Sequence, residues 1–578
     1  MNIQQLLLER FKAALAVIGA PEDAPTPLTR STRPEFGEYQ FNGAMALAKA
    51  LKQKPRDIAE KIVAAVELDD VAQQLEIAGP GFINIHLSGE FLSKQMPELV
   101  SSERLGIDKE DAKNIVVDYS SPNLAKEMHV GHLRTTIIGD AVVKALEFMG
   151  HNVIRQNHMG DWGTQFGMLL AHLNDVLDAN NVASVALADL EEFYREAKKR
   201  FDDEEGFADR ARDYVVKLQG GDEYCMGLWK DFINVSIHHS EEVYSKLNVS
   251  LTRKDIKGES AYNDDLANVI ADLKAKGIAV EDQGAQVVFL EELADKEGNP
   301  AVYIVQKSGG GYLYSTTDLA AIRYRSSVLN ADRTLILTDA RQALHFKQTE
   351  MVARKAEFMK PEQSYEHCPF GMMLGSDGKP FKTRSGGTVK LAELLDEAVE
   401  RAEKLIAQRS TDLSDDERKE VARIVGIGSV KYADLSKNRS TDYMFNWDTM
   451  LSFEGNTAPY LQYAYTRVMS IFRKAGVDIT TLNQAVNVVE PQERALSVKL
   501  LQMVEAINTV LAEATPHVLC TYVYELASAF MTFYEACPIL KDEVDEATRN
   551  SRLMLAAATA NSIKLCLDLL GIETLDKM

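Results

Sequence analysis

His129-Val-Gly-His132 places two imidazoles three residues apart where a strand pattern at 114–120 gives way, through Ser121-Pro122-Asn123, to an amphipathic helix pattern beginning near Leu133. Ring N–H groups and the unpaired backbone amides of a helix start converge there on one spot, and Gly131 lets a ligand approach the main chain closely. Such a corner suits the oxygens of a polyphosphate. Two plainer readings compete with it. Zinc would draw on His151 and His158 nearby, but the five cysteines (225, 368, 520, 537 and 566) form no Cys-x-x-Cys pair, and the His-x-x-His segment lacks the carboxylate of a zinc-protease helix, so no metal ligand is assigned. A helix cap accounts for Ser121 and Asn123 but not for two histidines beside a glycine.

The elements that must hold this corner are legible around it. Leu133, Ile137, Ala141, Ala145 and Met149 make an i, i+4 stripe that stops at Gly150, a suitable C-terminal cap, and a second strand follows at 152–158. Strand, helix and strand in this order form a βαβ unit with parallel strands, whose ligands bind at the strand C-terminal ends. A polar, mostly helical stretch over about 175–290 reads as an insertion, after which the sheet is expected to resume at 301–306. Gly309-Gly-Gly311 then turns the chain, 314–318 opens a helix, and 334–338 is a further strand. Ahead of this unit, helices are expected at 3–19 and 41–66 and a β run at 82–86; beyond about 440 the pattern is almost wholly helical.

The chain has 578 residues, 46% of them hydrophobic, which allows about four domains with cores of their own. No apolar run is expected to reach membrane-spanning length, and the N-terminus lacks the basic segment and cleavage site of a secretory signal. Scattered cysteines without a framework suit a reducing cytoplasm. The net charge of −22 runs against nucleic-acid binding as a sum, yet clusters such as Arg467 to Lys474, or Lys379 with Lys382 and Arg384, supply local basic tracks.

His129-Val-Gly-His132 resembles the HIGH signature of class I aminoacyl-tRNA synthetases. The longer strings SSPNLAKEMHVGHLRTTIIGD (120–140) and GDWGTQFG (160–167) resemble the bacterial arginyl-tRNA synthetases, and the likeness covers essentially the whole chain. It implies an α/β fold: an N-terminal α+β appended domain at 1–110 that touches the outer corner of tRNA, and a Rossmann-like parallel-sheet catalytic domain at 111–440. An all-α helix-bundle anticodon-binding domain completes it at 441–578. The implied reaction joins L-arginine to ATP, with Mg2+ carried by the nucleotide and no tightly bound cofactor, and passes the arginyl group to tRNA(Arg). No DNA or membrane partner is implied, and the family suggests a cytoplasmic monomer that needs bound tRNA for activation.

No covalent nucleophile is required for this chemistry, only alignment and charge stabilisation. His129, Gly131 and His132 are the expected phosphate contacts, with Gly160 and Asp161 completing the ATP side. Selecting arginine calls for carboxylates that meet a planar guanidinium in fixed geometry, which a lysine ammonium cannot match. Asp118 ends the first strand, and Tyr314 and Asp318 share one helical face; the resemblance gives these the guanidinium, and Ser120, Asn123, His132 and Gln342 further contacts to the substrate. For Asp318 a simple helix N-cap is the plainer alternative.

One signature departs from the family. The mobile lysine-rich loop of KMSKS type, expected over about 376–390, reads Pro380-Phe-Lys-Thr-Arg-Ser-Gly386, so that Ser385 stands where the catalytic lysine belongs. A cation must still meet the β- and γ-phosphates. Lys126, three residues before His129, is expected to supply it, assisted by Lys382 and Arg384. For tRNA, Phe36 and Gln40 and then Phe82 and Asn84 match appended-domain motifs, and Tyr460, Tyr463, Tyr465, Arg467 and Arg473 are candidates to stack on or pair with anticodon bases. Aromatic residues at these spacings are also common in cores. A cysteinyl-type synthetase and a catalytically silent tRNA-binding paralogue remain the alternatives; the first lacks gathered zinc ligands, and the second rests on the altered loop alone.

Overall fold

The computed structural model describes residues 2–31, 33–180, 189–382, 389–409 and 413–578. Its centre is a four-stranded, all-parallel sheet in the spatial order Ser364–His367, Arg333–Ile336, Asn114–Asp118, Asn152–Gln156. The helix Gly131–Phe148 crosses between the last two strands, which makes the expected βαβ unit. Its N-terminus is Gly131 rather than Leu133, and Gly150, at φ 99°, ends it as a glycine can and a side-chain-bearing residue cannot do cheaply. The register pairs Asp118 with Gln156 on one side and Ile336 on the other, so the C-terminal strand ends share one rim.

The strand at 301–306 does not belong to this sheet. Ala301–Gln306 pairs antiparallel with Ala285–Leu290, which pairs with Val280–Asp282, in a separate three-stranded sheet. Tyr303 and Val305 are buried while Val302 and Ile304 face outward. Such alternation marks a half-buried antiparallel strand, whereas an unbroken apolar spelling reads as a fully buried parallel one. The parallel sheet resumes only at Arg333.

Residues 41–66 also depart from expectation, forming two helices, Gly43–Leu51 and Pro55–Ala65. Lys52 takes a left-handed φ of 50°, and Pro55, which has no N–H to donate, starts the second. With the antiparallel strands Leu28–Arg30, Tyr39–Phe41, Phe82–Leu87 and Ala72–Ala78 they complete the N-terminal unit. That unit is fastened to the C-terminal bundle by Arg494 on Glu38 (2.7 Å) and by Arg30 and Tyr39 on Glu505.

The bundle comprises Ala458–Ala475, Pro491–Leu501, Met503–Glu513, His517–Ala536 and Glu546–Leu569. Contrary to expectation, Pro491–Glu513 is long and apolar enough by length and composition to cross a membrane, but it breaks at Gln502 and is mostly buried inside the bundle. Arg134 ties the central crossover helix to the helix Asp415–Leu435 that precedes the bundle: its buried guanidinium pairs with Asp434 at 3.1 Å and donates to Thr441 O at 2.9 Å.

Candidate functional site

At the corner, the two rings lie 4.0 Å apart between centroids, tilted by 38°. The backbone amides there are not free, as the helix-start reading required. Gly131 N–H donates to His129 Nδ1 (3.0 Å), His129 N–H donates to His132 Nδ1 (3.1 Å), and His132 N–H donates to His129 O (2.8 Å). Both rings fold back and consume the donors that a phosphate would have used. Since each Nδ1 accepts, each neutral ring carries its proton on Nε2. Burial lowers the pKa of His129, and burial together with repulsion from His129 pushes His132 down to about 3. The corner therefore presents two neutral Nε2–H donors. Gly131 has a specific steric reason: a Cβ there would stand 2.7 Å from the His129 ring.

The rim of the sheet carries the other half. Ser120 and Ser121 both adopt left-handed φ (69° and 46°), a strained pair of turns directly after the Asp118 strand. Their side chains diverge. Ser120 is buried, bonded to Tyr244 Oη (2.7 Å) and Thr136 Oγ1 (2.9 Å), so it does not line the cleft as expected. Ser121 does: its Oγ donates to Asp118 Oδ1 (2.9 Å) and accepts from His158 N–H (3.0 Å). Asp118 is itself occupied, its second oxygen held by the buried Arg325, which also donates to Gln156. Its carboxylate has an internal guanidinium for a partner.

Asp318 differs. It sits on the helix Tyr314–Ser327, and its ion-pair partners among the described residues are two imidazoles, His345 Nε2 at 2.6 Å and His158 Nε2 at 3.8 Å. Asp318 is not the N-cap of that helix, which is Leu313. Close by, burial pushes the Glu259 carboxyl up to about 7, with repulsion from Asp318 and Asp161 adding to it. Tyr314 is 64% exposed at the mouth, edge-on to His345 at 4.8 Å between centroids, and Gln342 is exposed just before the helix Ala343–Lys355. Asn123 is exposed, and its Oδ1 is engaged by Ala125 N–H and Gln165 Nε2.

Gly160 closes the turn after the rim through two backbone bonds with Pro122 and Leu124. Asp161 is buried and accepts from Ser260 N–H (2.8 Å) and Oγ (2.6 Å). Lys126 is exposed and Lys382 is exposed at the start of the loop; Arg384 and Ser385 lie outside the described residues. The returning arm of that loop docks on the histidine segment: Val130 N–H donates to Val389 O, Leu391 N–H donates to Met128 O, and Lys390 pairs with Glu127 at 3.3 Å.

On the helix Ala458–Ala475, Tyr463 and Arg467 are exposed and Tyr460 is half-buried with its ring 5.6 Å from that of Tyr524, whereas Tyr465 is buried and thus unavailable to a base, and Arg473 donates to Asp576 O (2.8 Å). In the N-terminal unit Phe36 and Phe82 are half-buried. Asn84 is fully buried, so it cannot read a base edge directly; its Oδ1 accepts from Gln40 Nε2 at 2.7 Å.

Sequence reasoning gives no substrate-site role to Ser121, His158, Glu259, Arg325 or His345. It reads Ser121 only as a cap and His158 only as a candidate zinc ligand, and His345 stands three residues after Gln342 on the helix that follows a sheet strand.

A parallel sheet with a His-x-Gly-His corner at its C-terminal rim, followed by a helical bundle, is the architecture of a class I aminoacyl-tRNA synthetase, and residues 95–447 match the family model of the class I (R) catalytic domain. Residues 5–87 match the arginyl tRNA synthetase N-terminal domain, and residues 461–578 match the DALR anticodon binding domain. The chain belongs to the arginyl-tRNA synthetase family. It is 74% identical to an arginine–tRNA ligase of Pseudoalteromonas atlantica and 75% identical to that of Alteromonas mediterranea, each over 578 residues and the full length of both chains. The arginyl-tRNA synthetase structure from Plasmodium falciparum superposes with a TM-score of 0.86 at 29% identity, covering 100% of this chain and 99% of that one.

Proposed function

We propose that the rim of the parallel sheet holds L-arginine and ATP side by side, forms arginyl-adenylate with release of pyrophosphate, and passes the arginyl group to the 3′-terminal adenosine of tRNA(Arg) with release of AMP. Asp318 carries this reading. A half-buried carboxylate whose ion-pair partners among the described residues are imidazoles, beside a second carboxylate, Glu259, that burial keeps half-protonated, is a site that calls for a cation. A guanidinium supplies it, and its fork fits a carboxylate bidentately. Tyr314 flanks that group, and Ser121, Asn123 and Gln342 meet the polar backbone of the amino acid. Asp118, neutralised by Arg325, acts from behind by orienting Ser121.

On the nucleotide side, His129 and His132 donate Nε2–H bonds to phosphate oxygens as charge builds in the transition state. Gly131 leaves room for the His129 ring, and Gly160 keeps the floor low. Asp161 anchors the 258–260 segment beneath it. Lys126 provides the cation that Ser385 cannot, with Lys382 and Arg384 assisting from the loop. Magnesium, arriving with ATP, would neutralise triphosphate charge when bound.

The anticodon meets Tyr460, Tyr463 and Arg467, and the outer tRNA corner meets Phe36, Gln40 and Phe82, with Asn84 fixing the Gln40 amide from behind. The chain works as a cytoplasmic monomer, in keeping with five buried free thiols. Arginine-dependent exchange of pyrophosphate into ATP tests the reading, run with and without tRNA(Arg) and with lysine and cysteine as controls. Exchange with arginine alone, and only with tRNA, is expected. Equal exchange with lysine overturns the arginine assignment; exchange without tRNA discards only the tRNA-completed site.

A further inference from the structure

Lys126 has a neighbour that the reaction as described does not use. Its Nζ lies 4.2 Å from the centroid of the Tyr194 ring. Tyr194 belongs to the helix Leu190–Asp203 of the inserted segment. Several independent contacts fasten the start of this helix to the histidine segment and to the loop arm. Asp189 caps the helix by accepting from Glu192 N–H (2.9 Å), and its other oxygen holds Lys390 Nζ at 2.9 Å. Leu190 N–H donates to Glu127 Oε1 (3.1 Å), the carboxylate next to Lys126 in sequence. Phe193 is 3% exposed, with its ring 5.9 Å from that of Phe232. The phenol ring is thus placed by the fold, whereas a lysine stem alone is not.

An exposed lysine spreads its ammonium over many rotamers, so a group needed at one point gains from a platform that restricts it. The face of an aromatic ring attracts a cation without neutralising it, which a carboxylate partner would do. We propose that Tyr194 is a positioning residue for arginine activation: its ring face holds the Lys126 ammonium beside the His129–His132 corner, in a chain whose loop carries Ser385 where the family places a lysine. This rests on the role given to Lys126 above. The hydroxyl plays no part in it, because the attraction belongs to the ring.

The test is pyrophosphate exchange by the full chain at saturating tRNA, with Tyr194→Phe and Tyr194→Leu made both alone and on a Lys126→Met background. Tyr194→Phe is expected to stay within about twofold of the wild type, and Tyr194→Leu to lose about three- to tenfold in kcat with arginine KM unchanged. On the Lys126→Met background Tyr194→Leu should cost nothing more, since the pair acts as one unit. Full activity in Tyr194→Leu, an equal loss on both backgrounds, or a Tyr194→Phe variant as impaired as Tyr194→Leu would each overturn the platform. If Lys126→Met alone leaves exchange intact, the Lys126 role falls first and the platform with it. A damaged Lys126→Met beside an intact Tyr194→Leu removes the platform only.

Discussion

Around Asp318 two carboxylates crowd together with imidazoles for company, whereas around His129 the ring nitrogens facing inward and the backbone amides are all satisfied and the two imidazoles are neutral. The contrast follows from what each half must receive. An amino acid that brings its own permanent cation needs uncompensated negative charge waiting for it. A triphosphate that arrives with magnesium needs directed donors more than further full charges, and neutral N–H groups held in place cost no reorganisation when the reaction occurs. Asp118 shows the third possibility: a carboxylate already paired inside the protein, which can shape the site but not receive a ligand's charge in full.

The contrast breaks most visibly if the acidic half is altered. Asp318→Asn is expected to raise arginine KM by about a hundredfold or more in steady-state exchange, since losing one partner of a partly buried charge pair costs about 2–5 kcal/mol, while ATP KM stays put. A matching rise in ATP KM would show that the halves are not separate. On the other side, His132→Ala should lower kcat by about a hundredfold with arginine KM little changed, the size expected for one lost transition-state donor. Lys126→Met should cost about ten- to a hundredfold in the same assay. Near wild-type exchange in Lys126→Ala, with Lys382→Ala or Arg384→Ala inactive, would move the cation to the loop.

The smallest expected effect is on pH. Glu259, pushed up to about 7, is half-protonated at neutrality in the free protein. A bound guanidinium favours its carboxylate form, so arginine binds more tightly as pH rises towards and past 7 and more weakly below it. Arginine KM should increase about fivefold from pH 7 to pH 6, a dependence that Glu259→Gln removes. The histidines act in the same direction on stability. Their folded pKa values lie below the unfolded 6.5, so the unfolded chain takes up protons that the fold refuses, and stability declines as pH falls below that value.

Much of this was legible in the sequence where structure is local. The Leu133 to Met149 stripe, the Gly150 stop and the two flanking strands follow from periodicity and glycine chemistry, and they place the histidine corner at a strand-end rim. What failed depends on neighbours far along the chain. The 301–306 run spells a buried strand, yet its place in a half-exposed sheet is decided by its pairing with 285–290. Ser120 and Ser121 differ by one residue, and only the paired left-handed turns decide which hydroxyl faces the cleft. His158, Glu259 and His345 meet around Asp318 because the sheet order and the insertion bring them there, and no spacing rule announces it. Tyr465 fits the same helical pattern as Tyr463, but the docked bundle buries one and leaves the other 43% exposed.

The claim that the nucleotide half works with neutral donors is tested most directly by 15N NMR of histidine-labelled protein across pH 5 to 8. The expected result is that His132 shows the Nε2–H tautomer throughout with no titration in that range, and that His129 shows the same tautomer while neutral and titrates below the ordinary histidine value. A His132 that charges near 6.5, or an Nδ1–H tautomer at either ring, would contradict the account.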